Sequence, residues 1–271
     1  PERGHLVLIG GGDKPREAMA KFVELAGGPQ APIVVVPTAS EEPDTGDYYV
    51  KLFKEEHSCS SVAVLPIKTR DDAAREDLVT LARAAGGVFF AGGDQSRITK
   101  ALLDTPVGDA IDAAFEAGAA VGGTSAGTAC QSALMITGEG NFTVIRAGAV
   151  ELVRGLGFFR DVIVDQHFVA RQRFNRLLSV TLEHPDVLGV GVDEDTAVWV
   201  HPDGIFEVMG RNCALVIDAR NASVRRGATA EGTASLGVHD LRVHVLLSGE
   251  RFDIGQRKVM PLQVVPAGGN R

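Results

Sequence analysis

Ser125 lies in the run "AAVGGTSAGTAC" (119–130), where Gly122, Gly123, Ala126 and Gly127 leave almost no side chain around its hydroxyl. Residues 123–127 read G-T-S-A-G, the G-x-S-x-G spacing that stands a serine out of a sharp strand-to-helix turn. Small neighbours permit a strained backbone there, and the N–H of Ala126, opening the next helix, would face a developing oxyanion. The same spacing also fits a plain tight turn with Ser125 as a helix N-cap. A nucleophilic serine needs a base to take its proton. Of seven histidines, only His167 stands in a polar cluster at a strand end, in "VDQHFVARQRFNRLL". Asp165 and Gln166 precede it, and Arg171, Arg173 and Arg176 follow. Three guanidinium forks there would hold carboxylates bidentately. Taken singly, Arg173 and Arg176 read equally well as a solvated helix face.

Three further stretches carry polar groups at turns. In "GVFFAGGDQSRI" the glycine pair Gly92–Gly93 would bring a backbone N–H, that of Gly93, near the serine's target as a second oxyanion donor, with Asp94 capping the next helix. "GVDEDTAV" puts Asp193, Glu194 and Asp195 into one acidic turn, fit to pair with a cationic substrate group or with the arginines, or to be an ordinary turn. "LIGGGDK" invites a dinucleotide reading that fails, because Pro15 stands where G-x-G-x-x-G requires its third glycine.

The elements that must position these residues follow from the apolar pattern. Residues 5–12, 31–40, 61–67, 86–94 and 119–127 are short apolar runs ending in Gly, Pro, Ser or Thr, and read as buried strands. Helical patterns at 14–26, 46–57, 71–85, 95–103, 106–117 and 126–136 lie between and after them. That alternation predicts a parallel sheet with helices on both faces, so the strand ends at Gly10–Asp13, Thr38–Ser40, Gly92–Gln95 and Thr124–Gly127 should gather along one rim. Past residue 140, the strand-like 161–168 leads to a helix over about 168–183. The segments 187–210, 213–219 and 241–254 read as an antiparallel extension of the same domain, and 221–238 as a loop.

Composition sets the class. The chain has 271 residues, 45% hydrophobic and 23% charged, which predicts one soluble α/β domain spanning 1–271. A net charge of −8 with no basic run argues against a nucleic-acid partner. No apolar stretch reaches about 18 residues, so no membrane span is expected, and a cytoplasmic location is. Cys59, Cys130 and Cys213 are odd in number and far apart, which supports neither a disulfide framework nor a zinc site.

Together, "GGTSAG", "GGDQ", "DQHF" with arginines at 171, 173 and 176, and "GVDEDTA" closely resemble the cyanophycinase group of serine peptidases, whose wider family includes the aspartyl dipeptidase peptidase E. The resemblance covers roughly residues 5 to 220. It implies a three-layer α/β sandwich of the class I glutamine amidotransferase type, with a largely parallel central sheet and an antiparallel C-terminal extension. It implies a serine exopeptidase acting on β-aspartyl (isopeptide) linkages, most directly on cyanophycin, a polyaspartate with arginine on its β-carboxylates, to give β-Asp-Arg. Ser125 maps onto the nucleophile and His167 onto the base. Gln95, Asp165, Gln166 and Arg171 match substrate-pocket positions. No cofactor is implied, no metal, and a homodimer is. The family pattern expects a carboxylate between serine and histidine to orient the imidazole. Glu139 is the first candidate and Glu151 the second, with Asp165 or a backbone carbonyl as the fallback. The rival readings are a dipeptidase of the peptidase E type, an α/β-hydrolase esterase using His239 or His244, and a binding module that has lost its catalytic residues.

Overall fold

Runs such as LVLI, IVVV and GVFF carry no polar face, so each must be covered on both sides. In the computed structural model, which describes residues 3–227 and 234–261, they are the buried strands of a mixed sheet. Strands β1 (Leu6–Ile9), β2 (Ile33–Val36), β3 (Val62–Val64), β4 (Gly87–Phe90) and β5 (Ala120–Thr124) pair in parallel, in the order β1-β5-β4-β2-β3. Helices α1 (Arg16–Leu25) and α2 (Thr45–His57) cover one face, where Phe22 and Phe53 pack against Phe89. Helices α3 (Glu76–Arg83), α4 (Gln95–Leu102) and α5 (Pro106–Glu116) supply Leu78, Ile98, Ile111 and Phe115 to the other, around Phe90.

The second half departs from the sequence reading in several places. The helix expected over 126–136 is only α6 (Ala126–Ala129), and Leu134–Gly140 is strand β6, paired with β7 (Val150–Arg154). "AGTA" is buried at every position and offers no polar face to water, while the β-branched Ile136 and Thr137 favour the hairpin. After β8 (Val162–Gln166), helix α7 (Phe174–Glu183) begins six residues later than expected. Positive φ at His167 and Gln172 interrupts the helical backbone, and the N–H groups of Val169 and Ala170 turn to Asp193 Oδ1 at 3.0 and 2.9 Å.

The remaining strands are β9 (Leu188–Val192), β10 (Thr196–Val200), β11 (Ile205–Gly210), β12 (Cys213–Asp218), β13 (Ser223–Arg226), β14 (Leu236–His239), β15 (Arg242–Leu247), β16 (Arg251–Asp253) and β17 (Lys258–Val259). Strands β10, β11, β16 and β17 extend the first sheet antiparallel beyond β1, so four of its eight pairings are parallel and four antiparallel. Strands β15-β12-β9-β8 form a separate sheet rather than more of the first, with β8 and β9 parallel. The predicted loop at 221–238 contains the paired strands β13 and β14, and its residues 228–233 lie outside the described residues.

Candidate active site

The two sheets bring their strand ends together at one place. Ile9 pairs with Thr124 at the ends of β1 and β5, and Gln166 pairs with Val192 at the ends of β8 and β9. Ser125 and His167 are each the next residue along, and Glu194 follows Val192 by two. Backbone hydrogen bonds join the rims: the Ser125 N–H donates to the Ile9 oxygen at 3.1 Å, and the His167 N–H to the Gly10 oxygen at 2.7 Å.

Ser125 has φ 53° and ψ −114°, a left-handed backbone that a non-glycine residue adopts only where its surroundings impose it, and its side chain caps nothing. The imposing surroundings are backbone atoms. A Cβ on Gly123 would stand 2.2 Å from the Gly127 oxygen, and one on Gly127 would stand 2.1 Å from the Phe90 oxygen. The Thr128 hydroxyl fastens the turn further, donating to the Ile9 oxygen at 2.7 Å and the Gly123 oxygen at 3.0 Å.

His167 Nε2 lies 2.9 Å from Ser125 Oγ, and Nδ1 lies 2.5 Å from Glu194 Oε1. A carboxylate only accepts, so Nδ1 carries the proton and Nε2 is left to accept from the serine. This hydroxyl–imidazole–carboxylate chain is the arrangement that activates a serine for acyl transfer. The backbone of Glu194 is itself held, its oxygen accepting from Thr196 Oγ1 at 3.0 Å and Asn212 Nδ2 at 2.8 Å. Room for the ring comes from Gly11, where any Cβ would lie 2.2 Å from His167 Cε1. Burial pushes the imidazole below its ordinary pKa, its hydrogen bond to the Glu194 carboxylate opposes that, and the positive charge of Arg171 pushes the same way as burial. Burial and Arg171 thus favour the neutral ring, the form able to receive a proton.

Glu139 is not at the histidine. It is exposed on the far side of the cavity at the end of β6, where its N–H donates to Thr137 Oγ1, and Glu151 accepts from the same Thr137 hydroxyl at 2.7 Å. Strand pairing decides this: among the described residues β6 pairs with β7 alone, whereas β9 lies beside β8, the strand that leads into His167. The three acids of residues 193–195 divide their work, since Asp193 holds the 169–170 turn, Glu194 meets the imidazole and Asp195 Oδ1 accepts from the Asp13 N–H at 2.7 Å. The sequence reading placed these three in a turn without giving one to His167. The signal that points to Glu194 is its position just past a strand that pairs in parallel with the strand leading into His167.

The arginines also separate. Arg176 is 2% exposed and grips Asp165, itself 1% exposed, through two hydrogen bonds, one of them Nε to Oδ2 at 2.6 Å. Both were expected to face substrate; Asp165 lies behind the cavity wall, while Arg176, though buried, lines the cavity that holds Ser125, and Asp165 Oδ1 also accepts from the Gln166 N–H. Arg173 donates to the Gln166 backbone oxygen at 2.7 Å, and burial with Arg176 beside it lowers its pKa to about 10. Arg171 is the outermost of the three, its side chain 54% exposed and its Nε 4.0 Å from Glu194 Oε1. Gln166 Oε1 lies 3.3 Å from Ser125 Oγ. Gln95 is buried and ties α4 to β6, donating to the Ile136 and Thr137 oxygens at 2.8 and 2.9 Å. Ser125, Gly93, Gln95, Gln166, Arg171 and Arg173 line one polar cavity of about 370 Å³. Ala126 is buried at the first position of α6, where the helix offers its N–H no acceptor. Asp94 caps α4 as expected, accepting from the Ser96 N–H at 2.8 Å. Among the described residues no helix is long and apolar enough to cross a membrane.

Similarity to known proteins gives the class of protein in which this serine, imidazole and carboxylate are found. Residues 6–208 match the model of peptidase family S51, and the chain belongs to that family of serine-type peptidases. Curated relatives named cyanophycinase include those of Nostoc sp., 37% identical over 94% of this chain and 87% of the relative, and of Synechococcus elongatus, 35% identical over 97% and 83%. The fold is shared with a solved peptidase from an acI-B1 Actinobacterium, at a TM-score of 0.68 and 21% identity over 93% of this chain and 97% of that one. A putative peptidase E protein from Listeria monocytogenes EGD-e shares it at a TM-score of 0.53 and 19% identity, over 78% of this chain and 100% of that one.

Proposed function

We propose that this peptidase is a serine exopeptidase of β-aspartyl isopeptides that degrades cyanophycin to β-Asp-Arg. The observation that carries the reading is the contact chain Ser125 Oγ–His167–Glu194 at 2.9 and 2.5 Å, in a chain whose curated relatives are named cyanophycinase. β-Asp-Arg keeps the amide between the aspartate side chain and arginine. The bond cut in the polymer is therefore the main-chain amide between successive aspartates, each bearing arginine on its β-carboxyl. Ser125 Oγ attacks that carbonyl as His167 Nε2 takes its proton, and Glu194 holds the imidazolium that forms. The N–H groups of Gly93 and Ala126 receive the oxyanion. His167 returns the proton to the departing amine, then draws one from the water that releases the acyl group from Ser125. Arg171 meets a substrate carboxylate, with Gln166 and Arg173 beside the scissile bond, while Gln95, Asp165 and Arg176 hold the pocket's shape. The fold is of the class I glutamine amidotransferase type and the active form is a homodimer. No step calls for a cofactor.

Product analysis tests this directly. Wild-type enzyme should release β-Asp-Arg from cyanophycin, and a serine-reactive phosphonate should label Ser125. Cleaved β-aspartyl dipeptides beside inert cyanophycin would make the protein a dipeptidase, and free arginine as the product would place the cut at the isopeptide bond instead.

A further inference from the structure

A second cavity, of about 420 Å³, opens directly from the one that holds Ser125, and Ser96, Lys100, Thr137 and Glu151 line both. Each is above the roughly 300 Å³ at which pockets begin to enclose a small ligand. The floor between them is rigid, because Gln95 pins β6 to α4 at Ile136 and Thr137. The charges along this joined groove are not random. In the Ser125 cavity stand Arg171, Arg173 and Glu139, at the junction Lys100 and Glu151, and in the second cavity Arg154. Several are already engaged: Arg154 pairs with Asp104 at 2.9 Å, Arg173 with the Gln166 oxygen, and Glu151 with Thr137. Arg70, the other cation of the second cavity, donates to the Leu103 and Asp104 oxygens at the end of α4. The Lys100 ammonium and the Glu139 carboxylate have no hydrogen bond or ion pair among the described residues, and both are exposed to the groove.

A purely acidic peptide would be repelled at Glu139 and Glu151, and a purely basic one at Lys100 and Arg171. A ligand that repeats one carboxylate and one guanidinium per unit matches both signs. We infer that this groove is an extended subsite for a zwitterionic, arginine-bearing polymer, in which a unit beyond the reacting one sets its carboxylate on Lys100 and its guanidinium on Glu139. The inference rests on the proposed function for the identity of the polymer. It adds that the enzyme reads chain length and the arginine side chain at a distance from the scissile bond.

The test uses binding, so that it does not depend on turnover. The full-length Ser125→Ala variant is titrated calorimetrically with synthetic oligomers of two and of four β-Asp-Arg units, and with a four-unit oligomer in which citrulline replaces arginine. The four-unit oligomer should bind more tightly than the two-unit one. Adding Lys100→Ala should weaken the four-unit oligomer about fivefold, the size of one partly exposed ion pair, and leave the two-unit affinity unchanged. Adding Glu139→Gln should weaken the four-unit oligomer by a similar factor, and the citrulline oligomer less. No binding, equal affinity at both lengths, or a Lys100→Ala loss shared by both overturns the extended groove. Turnover by the unsubstituted enzyme is read separately. Oligomers that bind in the expected pattern but are never cut overturn the proposed function and leave the groove standing, and cleavage without length-dependent binding does the reverse.

Discussion

On one side of the active cavity the groups come paired, Ser125 with His167 and His167 with Glu194, and Asp165 with Arg176, each contact within about 3 Å. On the other, along α4 and β6, Lys100 and Glu139 point into the same space with no partner among the described residues. The difference follows from how each side is built. The first is made of strand ends locked in register, where an unpaired charge would cost several kcal/mol, so its groups are paired before any ligand arrives. The second is a helix flank and a hairpin open to water, where unpaired charges cost little and are free to be claimed by a substrate.

The sharpest way to break that contrast is to remove a polar group from the paired side. Glu194→Gln should lower kcat by roughly 10³–10⁴-fold, since the amide no longer fixes the tautomer or stabilises the imidazolium. Steady-state kinetics check it, and a Glu139→Gln variant that lost as much would return the orienting acid to the opposite wall. Deeper down, Asp165→Asn leaves Arg176 buried against a neutral amide and should cost about 3–5 kcal/mol of stability, measured as a shifted denaturant midpoint at constant slope. A loss below about 1 kcal/mol would mean that the pair is wetter than its burial indicates.

Arg171 stands at the boundary between the two sides, and its variants should show an intermediate effect. Half exposed, it should contribute about tenfold to kcat/KM, with Arg171→Lys falling between wild type and Arg171→Ala. Unchanged kinetics would make it a solvated residue like any other on that turn. The smallest effect is on pH. As the proposed base, His167 must be neutral to act, and burial lowers its pKa, so the acid limb of kcat/KM should fall below the ordinary imidazole value of about 6.5. Arg171→Ala removes a positive charge that favours the neutral ring, and the limb should move up. A wild-type limb at or above the ordinary value would mean that Glu194 outweighs burial.

Much of this site was legible in the chain. The five apolar runs gave parallel strands in the expected rim arrangement, and the small residues around Ser125 and the polar cluster around His167 pointed to residues that do meet. What escaped the sequence depended on pairing between distant strands. Glu139 is nearer to Ser125 along the chain, but it is Glu194 that meets His167, because β9 pairs with β8, and no local pattern encodes that choice. Arg176 and Arg171 look alike in sequence, yet a difference of five residues along a bent segment buries one and leaves the other in water. The short α6 was misread because residues that are small and buried on all sides carry no helical period to count.

The turn that carries Ser125 is confined by main-chain atoms of β4 and of its own helix, and fastened by the buried Thr128 hydroxyl. Heat or denaturant therefore has nothing local to loosen there. The amides of Ser125, Thr128 and Ala129, bonded to the Ile9 and Ser125 oxygens, should open to solvent only when the sheet itself comes apart, so that for this enzyme the loss of the Ser125 turn and the loss of the fold are one cooperative event.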